Sequence, residues 1–189
     1  MTDTAYIALG SNLPSSAGSP QETLVTALVR LGQLGRLVAC SSFYLTRPVG
    51  YAEQPAFLNA AAALETELPP QVLLSQLLEI ERSLGRDRSH GIANGPRTLD
   101  LDLILYGNCI IHTERLQLPH PRMAQRSFVL VPLAEIGPEV IHPESGKSMS
   151  QLLQDSPKLE EDFPNGTRFP CPMDKIVDAI AAGKDNAQN

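Results

Sequence analysis

The stretch GPRTLDLDLILYG, residues 95–107, sets two aspartates inside a run of leucines. In a β-strand, residues i and i+2 project from the same face, so Asp100 and Asp102 point the same way, with Cα atoms roughly 6.6 Å apart. The opposite face carries leucine: Leu99, Leu101 and Leu103. Because aspartate is depleted in strands and paired carboxylates repel each other, the stretch predicts a strand whose polar face meets positive charge.

The source of that positive charge has two interpretations. Four arginines and one acidic residue, Asp87, lie between residues 82 and 97, and the arginines are Arg82, Arg86, Arg88 and Arg97. Mg²⁺ is commonly held by one or two carboxylates plus phosphate oxygens, while arginines neutralise charge that develops on a moving phosphoryl group. Alternatively, the aspartates lie on a solvated strand face and pair with Arg97 and its neighbours. The spacing alone leaves both open.

Composition limits the class of protein. The chain has 189 residues and a formal net charge of −6, which argues against a general nucleic-acid binder. No stretch approaches the roughly 18 apolar residues of a membrane span, and no signal peptide is recognisable, so we expect a soluble, cytoplasmic protein. Cys40, Cys109 and Cys171 are odd in number and widely spaced. They predict reduced thiols that fill space, with neither a disulfide framework nor a zinc site.

The order of predicted elements indicates an α+β fold. Residues 5–10, 37–45, 57–65 and 99–106 are predicted strands, and helices are predicted from a Ser19 capping box to Gly35 and over residues 69–85. This β-α-β-β-α-β order is typical of a ferredoxin-like sandwich, a mainly antiparallel sheet with both helices on one face. The opposite face is then open to further elements or ligands. The Gly/Pro loop over residues 46–55 is long enough to bind one.

The rest of the chain gives weaker signals. Residues 109–111 suggest a short strand, residues 128–137 a partly helical apolar segment and residues 148–153 a short helix. Charged residues and prolines dominate after residue 158. We therefore predict one catalytic domain over residues 1–157 and a partly disordered tail over residues 158–189, to which no function is assigned.

Five blocks resemble the 6-hydroxymethyl-7,8-dihydropterin pyrophosphokinase family. They are AYIALGSNL, SSFYLTRPVG, QPAFLNAAAALET, GPRTLDLDLI and LPHPRMAQRSFVLVPLAEI, in register from about residue 4 to about residue 155. The resemblance implies a ferredoxin-like fold and transfer of the pyrophosphoryl group of ATP to the hydroxymethyl group of the dihydropterin. The products are AMP and the pterin diphosphate, in folate biosynthesis.

The resemblance also implies roles for single residues. Asp100 and Asp102 match the aspartates that bind two Mg²⁺ ions, and with Arg86 and Arg97 they form the expected catalytic set. The expected ATP contacts are Glu81, Arg86, Arg97, Arg115, His120 and Arg126. The expected pterin contacts are Thr46, Val49, Gly50, Phe57, Asn59, Asp100 and Phe128. ATP and the dihydropterin are the expected partners, with no nucleic acid or membrane, and the protein is expected to be a monomer.

The chain departs from the family pattern in one loop. Ala93 stands where a basic residue is usual, and Asn94 stands where some members carry a tryptophan that closes over the pterin. These changes predict altered loop closure with unchanged chemistry. Two rivals stay open: a nucleotidyltransferase, opposed by the roughly 90 residues between Gly10–Ser11 and Asp100, and a non-catalytic ferredoxin-like binding module, which would bind ligand without turnover.

Overall fold

The computed structural model describes residues 2–51, 53–87, 95–156 and 167–185. Its helices are α1 (Pro20–Leu31), α2 (Pro70–Ser83), α3 (Ser127–Ile136), α4 (Met149–Asp155) and α5 (Met173–Asp185), with a short 3-10 turn at Met123–Gln125. Its strands are β1 (Asp3–Ser11), β2 (Arg36–Cys40), β3 (Phe43–Thr46), β4 (Phe57–Thr66), β5 (Asp100–Tyr106), β6 (Ile111–His112), β7 (Gln117–Leu118) and β8 (Arg168–Phe169). The fold is mixed α/β.

The main sheet has six antiparallel strands. Their order is β5-β1-β4-β3-β8, and β2 also pairs with β4. In the register of β1, Gly10 lies opposite Asp100 on one side and Asn59 on the other. Three segments that are far apart in sequence therefore meet at one end of the sheet.

The predicted helix starts are explained by local chemistry. Ser19 caps α1, and its side chain and that of Glu22 form the expected capping box. The helix ends at Leu31, earlier than the predicted stop at Gly35. Gly35 instead lies against the Glu65 carbonyl, where a Cβ atom would collide. The second predicted helix ends near its predicted stop, since Gly85 has a φ of +85°, which glycine adopts without strain.

Two hydrophobic clusters cover the two faces of the sheet. The first joins α1 and α2 to the sheet through buried leucines that include Leu28, Leu77 and Leu101. The second joins α3 and α4 to the opposite face through residues such as Ile104 and Leu130. The face that the sequence left open is thus half covered by helices, and the remaining half holds the polar residues described below.

The predicted strand over residues 37–45 is two strands. β2 and β3 pair with β4 in registers that differ by one residue, since Cys40 lies opposite Ala62 and Tyr44 opposite Asn59. At the break, the Ser41 hydroxyl accepts a hydrogen bond from the Ala61 N–H at 2.9 Å. Side-chain oxygen thus takes the place of a ladder acceptor, which a hydrophobicity pattern does not reveal.

The C-terminal segment contains elements that the sequence did not predict. β8 pairs with β3, and α5 packs on α1, where Ile176 is fully buried and a Cβ on Gly32 would collide with Ile180. Residues 167–185 thus pack against the same core as the rest of the chain. The boundary at residues 157/158 stays a prediction, because residues 157–166 lie outside the described part. Within the described ranges, no helix is long and apolar enough to cross a membrane.

Candidate active site

The two aspartates occupy the polar face of β5, at the edge of the sheet. Their side chains are half-buried, with 24% of Asp100 and 36% of Asp102 exposed. Leu101 and Leu103, on the other face, are 1% and 4% exposed and belong to the α1/α2 cluster. One strand therefore presents carboxylates to one side and core leucines to the other.

Three arginines surround the aspartates. The Arg97 Nη1 lies 2.7 Å from Asp100 Oδ2, and the Arg86 Nη1 lies 3.0 Å from Asp100 Oδ1. The Arg126 Nη1 is 3.9 Å from Asp102 Oδ2. Each arginine side chain is less than 20% exposed, so the charges interact in a partly desolvated environment. Arg86 and Arg97 thus supply positive charge predicted from residues 82–97, and Arg126 adds a charge from a distant segment, whereas Arg82 pairs with Glu79.

Glu81 contacts the backbone of β5 at the outer edge of the strand. It is fully buried, and its Oε1 accepts a hydrogen bond from the Leu101 N–H at 2.8 Å. Arg86 also reaches the strand backbone, donating from Nη1 to the Leu99 carbonyl at 2.7 Å. These contacts fix the start of β5 from its outer edge. They support a positioning role for Glu81, and its expected contact with ATP stays a prediction.

A cavity of about 90 Å³ opens beside Asp100, several times the space that one water needs. Its lining includes most of the expected pterin contacts, and consists of Gly10, Thr46, Arg47, Val49, Phe57, Asn59, Arg97, Asp100, Arg126 and Phe128. Two guanidinium groups stack on the rings: Arg97 lies 5.3 Å from the Phe57 centroid, and Arg126 lies 5.5 Å from that of Phe128. Aromatic faces and positive charge thus share one cavity wall.

Asn59 forms the buried polar end of the cavity. Its Nδ2 donates to the Thr46 Oγ1 at 2.7 Å, which fixes the orientation of the amide. A Cβ on Gly10 would lie 2.9 Å from the Asn59 Oδ1, closer than side chains tolerate. The absence of a side chain at Gly10 therefore lets the two strands hold this amide at the cavity wall.

Asn12 joins the two loops that border the cavity, and the sequence did not single it out. Its Oδ1 accepts from the Arg97 N–H at 2.8 Å, and its Nδ2 donates to Gln54 Oε1 and to the Pro55 carbonyl, both at 3.0 Å. The side chain is buried. The sequence feature that could have indicated Asn12 is its position directly after β1, in the polar turn of the AYIALGSNL block.

A second cavity adjoins the outer side of Asp102. Its lining includes Arg115 and His120, both expected near ATP. The His120 Nδ1 accepts a hydrogen bond from the Arg122 N–H at 3.2 Å, so the neutral ring carries its proton on Nε2. Burial lowers the pKa of His120, and the positive charges of Arg126 and Arg122 act in the same direction, against the opposing effect of Asp102.

The remaining predicted residues have different positions. Val49 lines the first cavity with its side chain exposed, whereas Gly50 is outside the lining and has a φ of +93°. Arg47, which the sequence did not select, also lines the cavity. Arg88, Ala93 and Asn94 lie outside the described residues, and altered loop closure stays a prediction.

The fold and the site together define a class of enzyme. A ring-lined cavity meets a carboxylate pair and three arginines at one sheet edge, an arrangement suited to joining a flat molecule to a phosphorylated one. The family model described as 7,8-dihydro-6-hydroxymethylpterin-pyrophosphokinase (HPPK) matches residues 6–138, more than half of the chain.

Individual relatives agree. A Haemophilus influenzae protein named 2-amino-4-hydroxy-6-hydroxymethyldihydropteridine pyrophosphokinase is 50% identical over 144 residues, covering 75% of this chain and 86% of that protein. The protein of the same name from Pseudomonas aeruginosa is 43% identical over 159 residues, covering 83% and 94%. The chain therefore belongs to the HPPK family.

Solved structures show the same fold. Plasmodium falciparum HPPK-DHPS, wild type with pteroate, has a TM-score of 0.61 and 15% identity to this chain. A triple mutant of that protein with SDX-DHP has a TM-score of 0.65 and 17% identity. In both, the likeness covers 82% of this chain and 44% of the solved chain, so this chain spans less than half of those proteins.

Proposed function

We propose that this chain transfers the pyrophosphoryl group of ATP to the hydroxymethyl group of 6-hydroxymethyl-7,8-dihydropterin, releasing AMP. The observation that carries the proposal is the meeting of the aromatic cavity and the charged edge of β5 at Asp100, which lines the cavity and pairs with two arginines. Family membership supports the same reaction. The product would serve folate biosynthesis.

The cavity suits the pterin. Phe57 and Phe128 offer apolar faces for a flat ring, and the buried amide of Asn59 offers a donor and an acceptor for the ring's edge. Thr46 holds that amide in place, while the backbone around Val49 and Gly50 is the proposed source of further hydrogen bonds. Such buried polar groups would penalise a ring that lacks the matching donors and acceptors.

The outer edge of β5 suits the triphosphate. Arg86, Arg97 and Arg126 can bind phosphate oxygens, and the Nε2–H of His120 is a neutral donor in the adjoining cavity, where Arg115 adds a further charge. When Arg97 and Arg126 bind phosphate, they would move away from the rings of Phe57 and Phe128 that they cover. Binding of the two substrates would thus be coupled through these two side chains.

Asp100 and Asp102 fit a divalent magnesium site. Hard cations prefer carboxylate oxygens, and Mg²⁺ usually takes one or two carboxylates and completes its shell with water and substrate phosphate. Among the described residues, no group of three or more metal-ligating side chains is present, which agrees with a site that phosphate must complete. We propose two Mg²⁺ ions held by this pair, which would neutralise charge along the phosphate chain.

The chain's own residues would act mainly by position. The ring cavity would hold the hydroxymethyl group facing the phosphates, and Asn12 would keep the loop of Arg97 in register with the loop at Pro55. The arginines would stabilise the charge that develops as the phosphoryl bond to the leaving group breaks. Asp100, at the boundary between the two substrates, would touch both.

Two alternative functions, a nucleotidyltransferase and a non-catalytic binding module, are opposed by different observations. Although Gly10–Ser11 and Asp100 are far apart in sequence, the register of β1 and β5 places Gly10 opposite Asp100. Sequence separation therefore does not exclude a nucleotidyltransferase, and family membership counts against it instead. A binding module would have the same cavity and would bind both ligands without releasing AMP.

The decisive experiment measures AMP release from ATP and Mg²⁺, with and without 6-hydroxymethyl-7,8-dihydropterin. We expect AMP only when metal and pterin are both present, and none after EDTA is added. AMP formation without pterin, or binding of both ligands with no AMP, would overturn the proposal. Replacing the pterin with one that lacks the hydroxymethyl group is the matched control, because it fills the cavity without a nucleophile.

Three finer statements accompany the proposal. The strand order and the element order support a ferredoxin-like topology in which the second strand is broken into β2 and β3. A monomer and a cytoplasmic location remain predictions from the sequence. Light scattering of the purified chain would test the first of these, since a dimer doubles the measured mass.

A further inference from the structure

The C-terminal segment, residues 167–185, adds a strand to the sheet beside β3. Its strand β8 pairs with β3 in antiparallel register. Directly before β8, the Thr167 carbonyl accepts a hydrogen bond from the Leu45 N–H at 3.1 Å. The family model matches residues 6–138, so it does not account for this segment. The contact with β3 is therefore a feature of this chain that the family match leaves unexplained.

β3 carries the polar end of the ring-lined cavity. Its last residue, Thr46, accepts the hydrogen bond that fixes the Asn59 amide. On its inner edge β3 pairs with β4, and Thr46 lies opposite Phe57 there. The hydrogen bond from Leu45 to Thr167 lies one residue before Thr46, on the outer edge of β3. Because a strand of four residues has few contacts and opens easily, the added strand would restrict the movement of Thr46.

The other end of β3 is held by a different element. Glu135 of α3 accepts hydrogen bonds from the Ser42 hydroxyl at 2.8 Å and from the Tyr44 hydroxyl at 2.7 Å. These bonds fix the start and the middle of the strand. The contact at Thr167 acts at its end, next to the cavity. The C-terminal segment thus supports the part of β3 that the cavity uses.

α5 anchors the segment to the core. Ile176 is fully buried and belongs to the α1/α2 hydrophobic cluster, against which Ile180 also packs. A Cβ on Gly32, at the end of α1, would collide with Ile180, so the glycine lets the two helices approach closely. Val177, one residue after Ile176, is 50% exposed. Burial of one face of α5 therefore holds β8 in place beside β3.

We propose that the C-terminal segment is a positioning element for the pterin. By pairing with β3 it holds Thr46, and through Thr46 the Asn59 amide, in the geometry that binds the ring. This inference rests on the proposed function, because it takes the ring-lined cavity to be the pterin site. The segment should therefore affect pterin affinity much more than ATP affinity. Because coupling between two sites is reciprocal, bound pterin should also stabilise α5.

The first test compares Ile176→Ala with Val177→Ala, its matched control on the exposed face of the same helix. Affinities are measured by calorimetry on the full chain, for a non-hydrolysable ATP analogue and then for pterin with that analogue bound. I176A should loosen α5 and weaken pterin binding about 10-fold, while the analogue binds within about threefold of its normal affinity. V177A should leave both affinities unchanged. Equal losses for both ligands, or no loss for pterin, would overturn the proposal.

A double variant separates positioning from a general loss of stability. In the Asn59→Ala background, I176A should cause no further loss of pterin affinity, because the amide through which the segment acts is absent. A further loss of about 10-fold in that background would mean that the segment does not act through Asn59, and it would contradict the proposal.

Hydrogen exchange of the unmodified chain provides a measurement that requires no variant to fold. Pterin added to the chain with the ATP analogue bound should slow amide exchange in α5 and at Leu45 several-fold, whereas the analogue alone should not. Exchange in α5 that pterin leaves unchanged would refute the positioning role and leave the proposed function intact. Failure of the unmodified chain to bind pterin at all would instead refute the proposed function, and this inference with it.

Discussion

The two faces of β5 perform opposite tasks with alternate residues of one strand. Leu101 and Leu103 are almost fully buried against α1 and α2, while Asp100 and Asp102 are half-exposed beside three arginines. A shift of one residue in the register would bury the carboxylates in a leucine cluster and expose the leucines. The hydrophobic face therefore fixes the position of the charged face.

This comparison indicates that stability and function are separable in the strand, even between adjacent residues. The leucines gain free energy by leaving water, which requires close packing with their neighbours. The aspartates lower the stability of the fold, since two like charges lie on one face of the strand and guanidinium groups must compensate them. Substitutions on the two faces should thus change different measured quantities.

The largest effect is expected for Asp102→Ala. Without this carboxylate, AMP release should fall by about 10³-fold, because the proposed Mg²⁺ ions that neutralise charge on the phosphates lose one of their ligands. The circular dichroism spectrum and the melting temperature should change little, since the side chain is 36% exposed. Asp102→Asn is the matched variant of equal shape. Retention of activity by either variant would refute the role of the carboxylate.

Leu101→Ala should produce the complementary result. Removing this buried side chain should lower the free energy of unfolding by about 2–5 kcal/mol, measured by urea denaturation. The KM for ATP should change by less than about threefold, because the side chain faces the other side of the sheet. A loss of activity without a loss of stability would show that the two faces are not independent. Leu103→Ala provides a second test on the same face.

Asn59→Ala should affect only one substrate. Loss of the buried amide should weaken pterin binding about 10- to 100-fold, measured by calorimetry, while ATP binding stays within about threefold. Gly10→Ala should give a smaller loss of pterin affinity, because its methyl group would displace the Asn59 Oδ1 without removing it. Equal losses for both substrates would instead indicate a general disturbance of the sheet.

The smallest effect concerns His120 and pH. Burial lowers the pKa of this side chain below the ordinary 6.5, so the folded state holds it neutral at pH 7. Between these two pKa values the unfolded state binds more protons. The contribution of His120 to stability is therefore complete above pH 6.5 and decreases as the pH falls toward the folded pKa.

Nitrogen-detected NMR would check this assignment. At pH 7 the proton should reside on Nε2, and ATP should raise the pKa of His120 by placing negative charge beside it. The same titration without ATP is the control. An unchanged His120 would place the phosphates elsewhere.

Much of the fold followed from local patterns. The α1 capping box, the strand at residues 57–65 and the helix after Pro69 depend on neighbouring residues, so they were readable without tertiary context. The break at Ser41 and the helix at residues 173–185 were missed. Each depends on a partner distant in sequence, the Ala61 N–H in one case and α1 in the other.

The sequence by itself determined that two carboxylates share one strand face, because the alternation of side chains in a strand is a local property. It also determined which residues resemble those of a known family. Only the tertiary structure decided that Arg86 and Arg97 pair with Asp100 and that Asn12 joins two loops. Those contacts depend on the order and the register of the strands. Both are determined by the burial of the apolar faces of all the elements together, which is a property of the whole chain.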